Sequence, residues 1–225
     1  MKLDALQRRL GYQFTDLSLL QQAVTHKSYG KPDNERLEFL GDAVLSYQVA
    51  VLLYRHRQDL QEDQMTLVRA HLVRGTTLAL KAKGLELGQC LQLGSGELKS
   101  GGRERESILA DAFEAVVGAI HEDGGLAQCW AFVEQQFLAD LKAADPRLLK
   151  DAKTVLQEHL QQQGLKLPEY TVVAEQGADH AKRYTVRCDV AELDLHTQAE
   201  EKSRRNAEQT AARLLLQQLG ILSDE

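Results

Sequence analysis

The stretch Asn34-Glu35-Arg36-Leu37-Glu38-Phe39-Leu40-Gly41-Asp42-Ala43-Val44-Leu45-Ser46 constrains this chain more than any other. Its apolar positions recur at helical spacing, which predicts a helix from about residue 34 to about residue 56. On that helix Glu35, Glu38 and Asp42 fall at i, i+3 and i+7. At about 100° per residue they share one narrow face. Leu37, Leu40 and Val44 cover the opposite side, and Phe39 and Leu45 flank the acids. The acidic face is therefore not simply the wet side of a surface helix. Partly shielded carboxylates are costly unless something positive neutralises them, and a divalent cation is the usual answer.

A second acidic pair lies further along. Ser107 can cap a helix from Ile108 to His121 that carries Asp111 and Glu114, with Ala115 and Gly118 beside them on the wheel. Small residues next to acids let another helix approach closely, and Gly41 plays the same part in the first acidic helix. The expectation is two tightly packed helices that each offer carboxylates to a shared site. Most acidic pairs one turn apart are surface charge. These two pairs differ in alternating with core residues and glycine instead of lysine. Hard oxygen ligands favour Mg²⁺, with Mn²⁺ able to substitute, over zinc. Such a site fits phosphodiester hydrolysis, in which metal ions activate a water and stabilise the leaving oxygen.

Other chemistries find little support. The histidines are dispersed, with no His-x-x-x-His pair beside an acid, so the zinc-hydrolase template fails. His26, in Thr25-His26-Lys27-Ser28, reads as a hydrogen-bonded structural residue. Residues 94–102 are glycine-rich but lack the Gly-Lys-Ser/Thr of a P-loop. They read as a flexible loop, where Lys99, Arg103 and Arg105 could touch phosphate. Cys90, Cys129 and Cys188 are odd in number and far apart, which suggests reduced, buried thiols in a cytoplasmic protein. No apolar run approaches the roughly 20 residues that span a bilayer, so no membrane partner is expected. The net charge of −6 argues against a nucleic-acid partner only at first sight. A metal-dependent nuclease carries carboxylates whose cations are missing from the count.

With 225 residues the chain suits one large domain or two small ones, and 5% aromatics with abundant Leu, Ala and Gln lean helical. The helical pattern stops at Ala143-Ala144-Asp145-Pro146. This predicts a helical domain over residues 1–144, a linker over 145–151 and a second domain over 152–221. The second domain reads as α-β-β-β-α: a helix from Thr154 to Gln163, strands at Glu169–Glu175, Lys182–Val190 and from Glu192, and a final helix capped by Ser203. The fold class is mainly α, with this small mixed domain following. Thr154, Gln157, Glu158 and Gln161 form a polar stripe suited to ribose hydroxyls. His180 sits in a turn between strands. Ser203, Arg204 and Arg205 open the last helix, where free N–H groups and guanidiniums suit phosphate. Minor-groove contacts on either side of a phosphate contact are the pattern of duplex RNA recognition. On residues alone, three readings stay open: a duplex RNA endonuclease, a non-catalytic RNA-binding protein, and a metal phosphohydrolase of small nucleotides.

Taken together, the chain resembles bacterial ribonuclease III over nearly its full length. Residues Asn34 to Leu45 are similar to that family's signature. So are Leu72-Val73-Arg74-Gly75, Gly96-Glu97-Leu98-Lys99-Ser100-Gly101-Gly102, and Glu106-Ser107-Ile108-Leu109-Ala110-Asp111 with Glu114. The C-terminal unit resembles a double-stranded RNA-binding domain. The resemblance implies an all-helical endonuclease domain that works as a homodimer, with two active sites along one RNA-binding valley. It implies Mg²⁺-dependent hydrolysis of double-stranded RNA to 5′-phosphate and 3′-hydroxyl ends, in processing of ribosomal RNA precursors and other structured transcripts. Carried over by position, Glu38, Asp42, Asp111 and Glu114 are the metal acids, with Asp42 and Glu114 catalytic. Phe39 lies at the dimer interface, and Glu35 and Glu62 take supporting or substrate-facing roles. The chain departs from the family only in the RNA-binding unit. Ala199-Glu200-Glu201-Lys202 replaces glycines before the basic helix, and Asn206 stands where a third basic residue is expected. These changes should weaken RNA affinity or make it more salt-sensitive.

Overall fold

The computed structural model describes residues 2–177 and 182–222. The chain divides into two compact units between Leu149 and Lys150.

The first unit is helical: α1 (Lys2–Leu10), α2 (Leu17–Ala23), α3 (Glu35–His56), α4 (Glu62–Leu72), α5 (Gly75–Gly84), α6 (Leu87–Cys90), α7 (Ser95–Lys99), α8 (Glu106–Ala143) and α9 (Pro146–Leu149). Asp16 caps α2 by accepting from the Ser18 amide, as its short acceptor side chain favours. The most extensive helix contact is between α3 and α8. Leu37, Leu45, Val49, Leu52 and Leu53 of α3 are buried, as are Phe113, Val116, Val117 and Ile120 of α8. This central position explains why α3, at 22 residues, is the one described helix long and apolar enough by length and composition to cross a membrane. In the folded unit its apolarity serves the core, because a helix contacted on several sides must be hydrophobic on several sides.

Three local expectations need correction. The second acidic helix starts at Glu106, with Arg105 as its cap residue, so Ser107 lies inside it. The helix expected to end at His121 runs on as one arm of α8, which continues to Ala143 beyond Gly125 at φ 72°; that left-handed conformation is one glycine adopts cheaply. The glycine-rich loop is not free coil: it contains α7, and its cations are largely engaged. Arg103 donates to the Gly88 carbonyl at 2.6 Å, and Arg105 pairs with Glu97 at 2.7 Å. All three cysteines are buried, and none is in a disulfide.

The second unit contains α10 (Ala152–Gln162), a three-stranded antiparallel sheet in the order β1-β2-β3 (Glu169–Gln176, Arg183–Val190, Leu195–Glu201), and α11 (Arg204–Gln218). Alternation in β2 buries Val186, Cys188 and Val190, and the last two join Leu156, Leu160, Ala211, Ala212, Leu215 and Leu216 in one core. The third strand starts later than the sequence suggests. Ala191–Leu193 form a turn of 3₁₀ helix, and Asp194 turns the chain at φ 53°. Asp151, not Thr154, opens α10 by accepting from the Lys153 amide.

Candidate active site

Two glycines set the geometry. A Cβ added to Gly41 would lie 1.8 Å from the Glu114 carbonyl oxygen, and one added to Gly118 would lie 2.2 Å from the Leu37 carbonyl oxygen. The backbones of α3 and α8 therefore touch, as only side-chain-free positions allow. Gly41 lies between Glu38 and Asp42, and Gly118 lies one turn beyond Glu114. The close crossing thus brings acids of both helices together.

Carboxylate oxygens of Glu38, Asp111 and Glu114 lie within 4.8 Å of one another, and all three residues are half-buried. Burial, with repulsion from Asp42, Glu38 and Asp111, pushes the Glu114 carboxyl up to about 8. Burial also raises Asp111, against the opposing influence of His26 and Lys27. Glu38 is raised by burial, then by Asp111 and Glu35. Three converging oxygen donors that hold protons too tightly for want of a counter-charge are a donor set that suits a hard divalent cation.

The remaining acids divide. Asp42 is exposed and outside the tight trio, yet it is the largest charge acting on Glu114. Glu35 belongs to the same sequence row but is outside the trio and is bound by Lys27 at 2.9 Å, with Lys31 at 3.7 Å. The Lys27 hydrogen bond holds its carboxyl below the usual range. Glu62 is exposed at the start of α4 and accepts from Thr66 at 3.1 Å. Phe39 is 82% exposed, and Tyr47 and Tyr54 on the same helix are 56% and 74% exposed.

In the second unit Thr154, Gln157 and Gln161 are exposed along one face of α10, while Glu158 of that stripe is bound by Lys150 at 2.8 Å. Ser203 caps α11 by accepting from the Asn206 amide, and so its hydroxyl is engaged within the chain. Arg204 pairs with Glu208 at 2.9 Å. Arg205 is exposed with no acidic partner among the described residues. His180 lies outside the described residues. Of the departures, Ala199 is buried in the core, Glu200 pairs with Arg183 at 3.1 Å, and Glu201 accepts from Thr210 at 3.3 Å.

Residues 16–141 match the Ribonuclease-III-like family, and residues 152–219 match the double-stranded RNA binding motif. The chain is 48% identical to Ribonuclease 3 of Bordetella avium over 99% of its own length and 89% of that protein. It is also 48% identical to Ribonuclease 3 of Haemophilus influenzae, over 97% and 98%. The crystal structure of the nuclease domain of ribonuclease III from Campylobacter jejuni superposes with a TM-score of 0.55 at 40% identity, covering 60% of this chain and 95% of that one. A second structure of that domain, described for structural flexibility in a region involved in dimer formation, gives 0.56 at 39% over 60% and 99%.

The chain belongs to the ribonuclease III family. With its double-stranded RNA binding motif, this ribonuclease III cleaves double-stranded RNA endonucleolytically. Residues to which the sequence reading gave no part in the site lie next to the acids. Lys27 reaches Glu35, and His26, Lys27 and Asn34 line a cavity together with Glu35, Glu38 and Asp111. The only sequence signal for them is position: Asn34 directly precedes the acidic helix, and a cation at Lys27 comes just before the loop that enters it.

Proposed function

We propose that Glu38, Asp42, Asp111 and Glu114 hold divalent cations, Mg²⁺ in the first place with Mn²⁺ able to replace it. With them this ribonuclease III hydrolyses duplex RNA to 5′-phosphate and 3′-hydroxyl ends. The observation that carries the reading is the trio of converging carboxylates with Glu114 pushed up to about 8. When bound, a divalent cation makes water a stronger nucleophile at neutral pH and offsets charge on the leaving oxygen. The chain's own part is placement. The glycine crossing brings three of these acids, Glu38, Asp111 and Glu114, together where α3 meets α8, and their half-burial limits competing water at their oxygens. Asp42, exposed at the rim, faces what approaches from solvent.

Glu114→Gln tests this. It keeps the shape and removes the charge, so cleavage in Mg²⁺ should fall by about 10³-fold or more while duplex binding survives. Unchanged cleavage on a gel of long duplex RNA would remove Glu114 from the metal acids. Intact RNA after exhaustive incubation with the wild-type protein would favour a purely RNA-binding role.

We further propose a homodimer with Phe39 at its interface. Support comes from the exposure of Phe39 beside a groove lined by Leu19, Gln22, Arg36, Leu37, Leu40 and Glu122, and from the dimer-forming region of the Campylobacter jejuni domain. An exposed aromatic next to a groove is the form that an interface anchor takes. Phe39→Asp should sediment as a monomer; a variant that remains dimeric removes Phe39 from that role. Glu35 and Glu62 are assigned supporting or substrate-facing roles. Thr154, Gln157, Glu158, Gln161, His180, Ser203, Arg204 and Arg205 are assigned to RNA. The domains are proposed to run 1–144 and 152–221. Ribosomal RNA precursors and other structured transcripts are the proposed substrates, and the buried thiols support a reducing, cytoplasmic setting.

A further inference from the structure

We infer that the cavity beside the carboxylates is a second subsite, which receives a non-bridging phosphate oxygen of the RNA backbone on Asn34, Lys27 and His26. The inference rests on the duplex-cleavage reading above and extends that site. The cavity holds about 180 Å³ and is lined by His26, Lys27, Asn34, Glu35, Glu38 and Asp111. Glu38 and Asp111 belong both to it and to the metal trio, so whatever it holds adjoins the reacting centre.

Asn34 identifies the kind of ligand. It is 2% exposed, and its buried amide nitrogen Nδ2 has no hydrogen-bond partner. Its side chain does not cap α3 either. Buried amide donors are almost always satisfied, and Asn34, whose donor is not, lines this polar cavity. A donor needs an acceptor, which rules out a cation at that nitrogen and admits an oxygen.

Lys27 decides which oxygen. Its ammonium is held 2.9 Å from Glu35 at the cavity wall, although the side chain is 61% exposed. Glu35 thus fixes the direction of a long, mobile side chain. An ammonium so placed favours an anionic oxygen over a hydroxyl. His26 completes the set. Its Nδ1 lies 2.8 Å from the Ser28 hydroxyl, which leaves Nε2 as the remaining ring nitrogen. The frame is stiff: His26 N donates to the Gln92 carbonyl at 3.0 Å, Gly94 N donates to Ser28 Oγ at 2.9 Å, and Asn34 N donates to the Thr25 carbonyl at 2.9 Å. A site held by such a supporting shell loses little on binding. Lys27, His26 and Asn34 are thus substrate-positioning groups, and the role of Glu35 is to orient Lys27.

The test uses the full chain and a short duplex with a single cleavage site, under single-turnover conditions with saturating Mg²⁺. Each phosphate around the cut is replaced, one at a time, by an uncharged methylphosphonate. At one linkage next to the scissile bond the replacement should slow the wild-type protein about tenfold. Lys27→Met should slow the native duplex by about the same factor and that modified duplex no further, while Lys27→Arg restores most of the rate. Asn34→Asp, isosteric but with an acceptor in place of the donor, should show the same coupling at the same linkage. Should Asn34→Asp fail to fold, exposed Lys27→Met still decides. Losses that multiply at every linkage, or coupling that appears only with a 2′-deoxy substitution, would overturn the phosphate assignment. A wild-type protein that leaves the native duplex uncut would instead strike the reading beneath it.

Discussion

The two units handle charge in opposite ways. In the first, Glu38, Asp111 and Glu114 converge with no cation bonded to any of them among the described residues. In the second, Lys150, Lys153, Lys166, Lys182, Arg183, Arg187 and Arg204 each lie within salt-bridge distance of an acid of their own unit. Lys202, Arg205 and Arg213 have no such partner among the described residues. One unit has a local charge surplus that only something from outside can relieve. The other is a largely paired surface, in which most cations must leave an internal partner to reach phosphate. Strong binding of a cation belongs to the first arrangement, and modest, tunable binding of an anion to the second.

The comparison breaks most completely at the helix crossing. Gly41→Ala places a Cβ 1.8 Å from a backbone oxygen that no rotamer change can move. The helices must separate, at a cost of about 3 kcal/mol or more, and the carboxylates separate with them. Cleavage should fall below detection, and thermal melts should show a large loss of stability. Gly84→Ala is the control. Nothing lies within 4 Å of the added atom and its backbone is helical, so alanine should be neutral or stabilise by up to about 1 kcal/mol. If both variants melt alike, the close approach is not what assembles the site.

This crossing was also the most legible part of the sequence. The acids, their spacing and their small neighbours Gly41 and Gly118 announce a shared site, because backbone contact requires glycine and glycine is visible in a sequence. Ser203 as the cap of the last helix and the inward set Val186, Cys188, Val190 are equally local and equally readable. Glu35 was not. A helical wheel places it with Glu38 and Asp42, but Lys27, from a loop eight residues earlier, binds it. Ser107 misled because a good capping residue can also be tolerated one position inside a helix. Asn34 was visible only by its position before the acidic helix: an unsatisfied donor exists only once the surrounding loops are in place.

A smaller effect sharpens the first half of the comparison. Glu114 titrates at 4.5 in an unfolded chain and at about 8 in the fold. A carboxyl with a raised folded value binds more protons in the native state, so the metal-free protein loses stability as pH rises from about 4.5 and stops losing it above about 8. A cation needs the deprotonated form and removes that cost. The increase in melting temperature on adding Mg²⁺ should therefore be larger at pH 8 than at pH 6, by a few degrees. The difference should shrink in Glu114→Gln, where only the raised carboxyls of Glu38 and Asp111 remain. An increase equal at both pH values in the wild-type protein would mean that Glu114 is not among the groups the cation binds.

The smallest expected effect tests the second half. Glu208 accepts from Lys153 Nζ at 2.5 Å and from Arg204 Nε at 2.9 Å, with its own side chain 12% exposed. Glu208→Gln keeps the shape and removes the charge that holds both. Lys153 stays in place, because its ammonium also lies 4.4 Å from the centre of the Tyr170 ring. Arg204, 62% exposed, is the group released. Pairs this exposed contribute little, so the stability loss should stay within about 1 kcal/mol. Duplex affinity should rise only about two- to fivefold, the factor equivalent to such a pair. The salt dependence is the more telling readout. One further phosphate contact steepens the slope of log affinity against log salt by about 1. Measured by titration in the Glu114→Gln background, so that no RNA is cut, an unchanged slope would mean that Arg204 reaches no phosphate and that its pairing with Glu208 restrains nothing. A steeper slope at nearly unchanged stability would show that internal pairing sets how tightly this unit holds RNA.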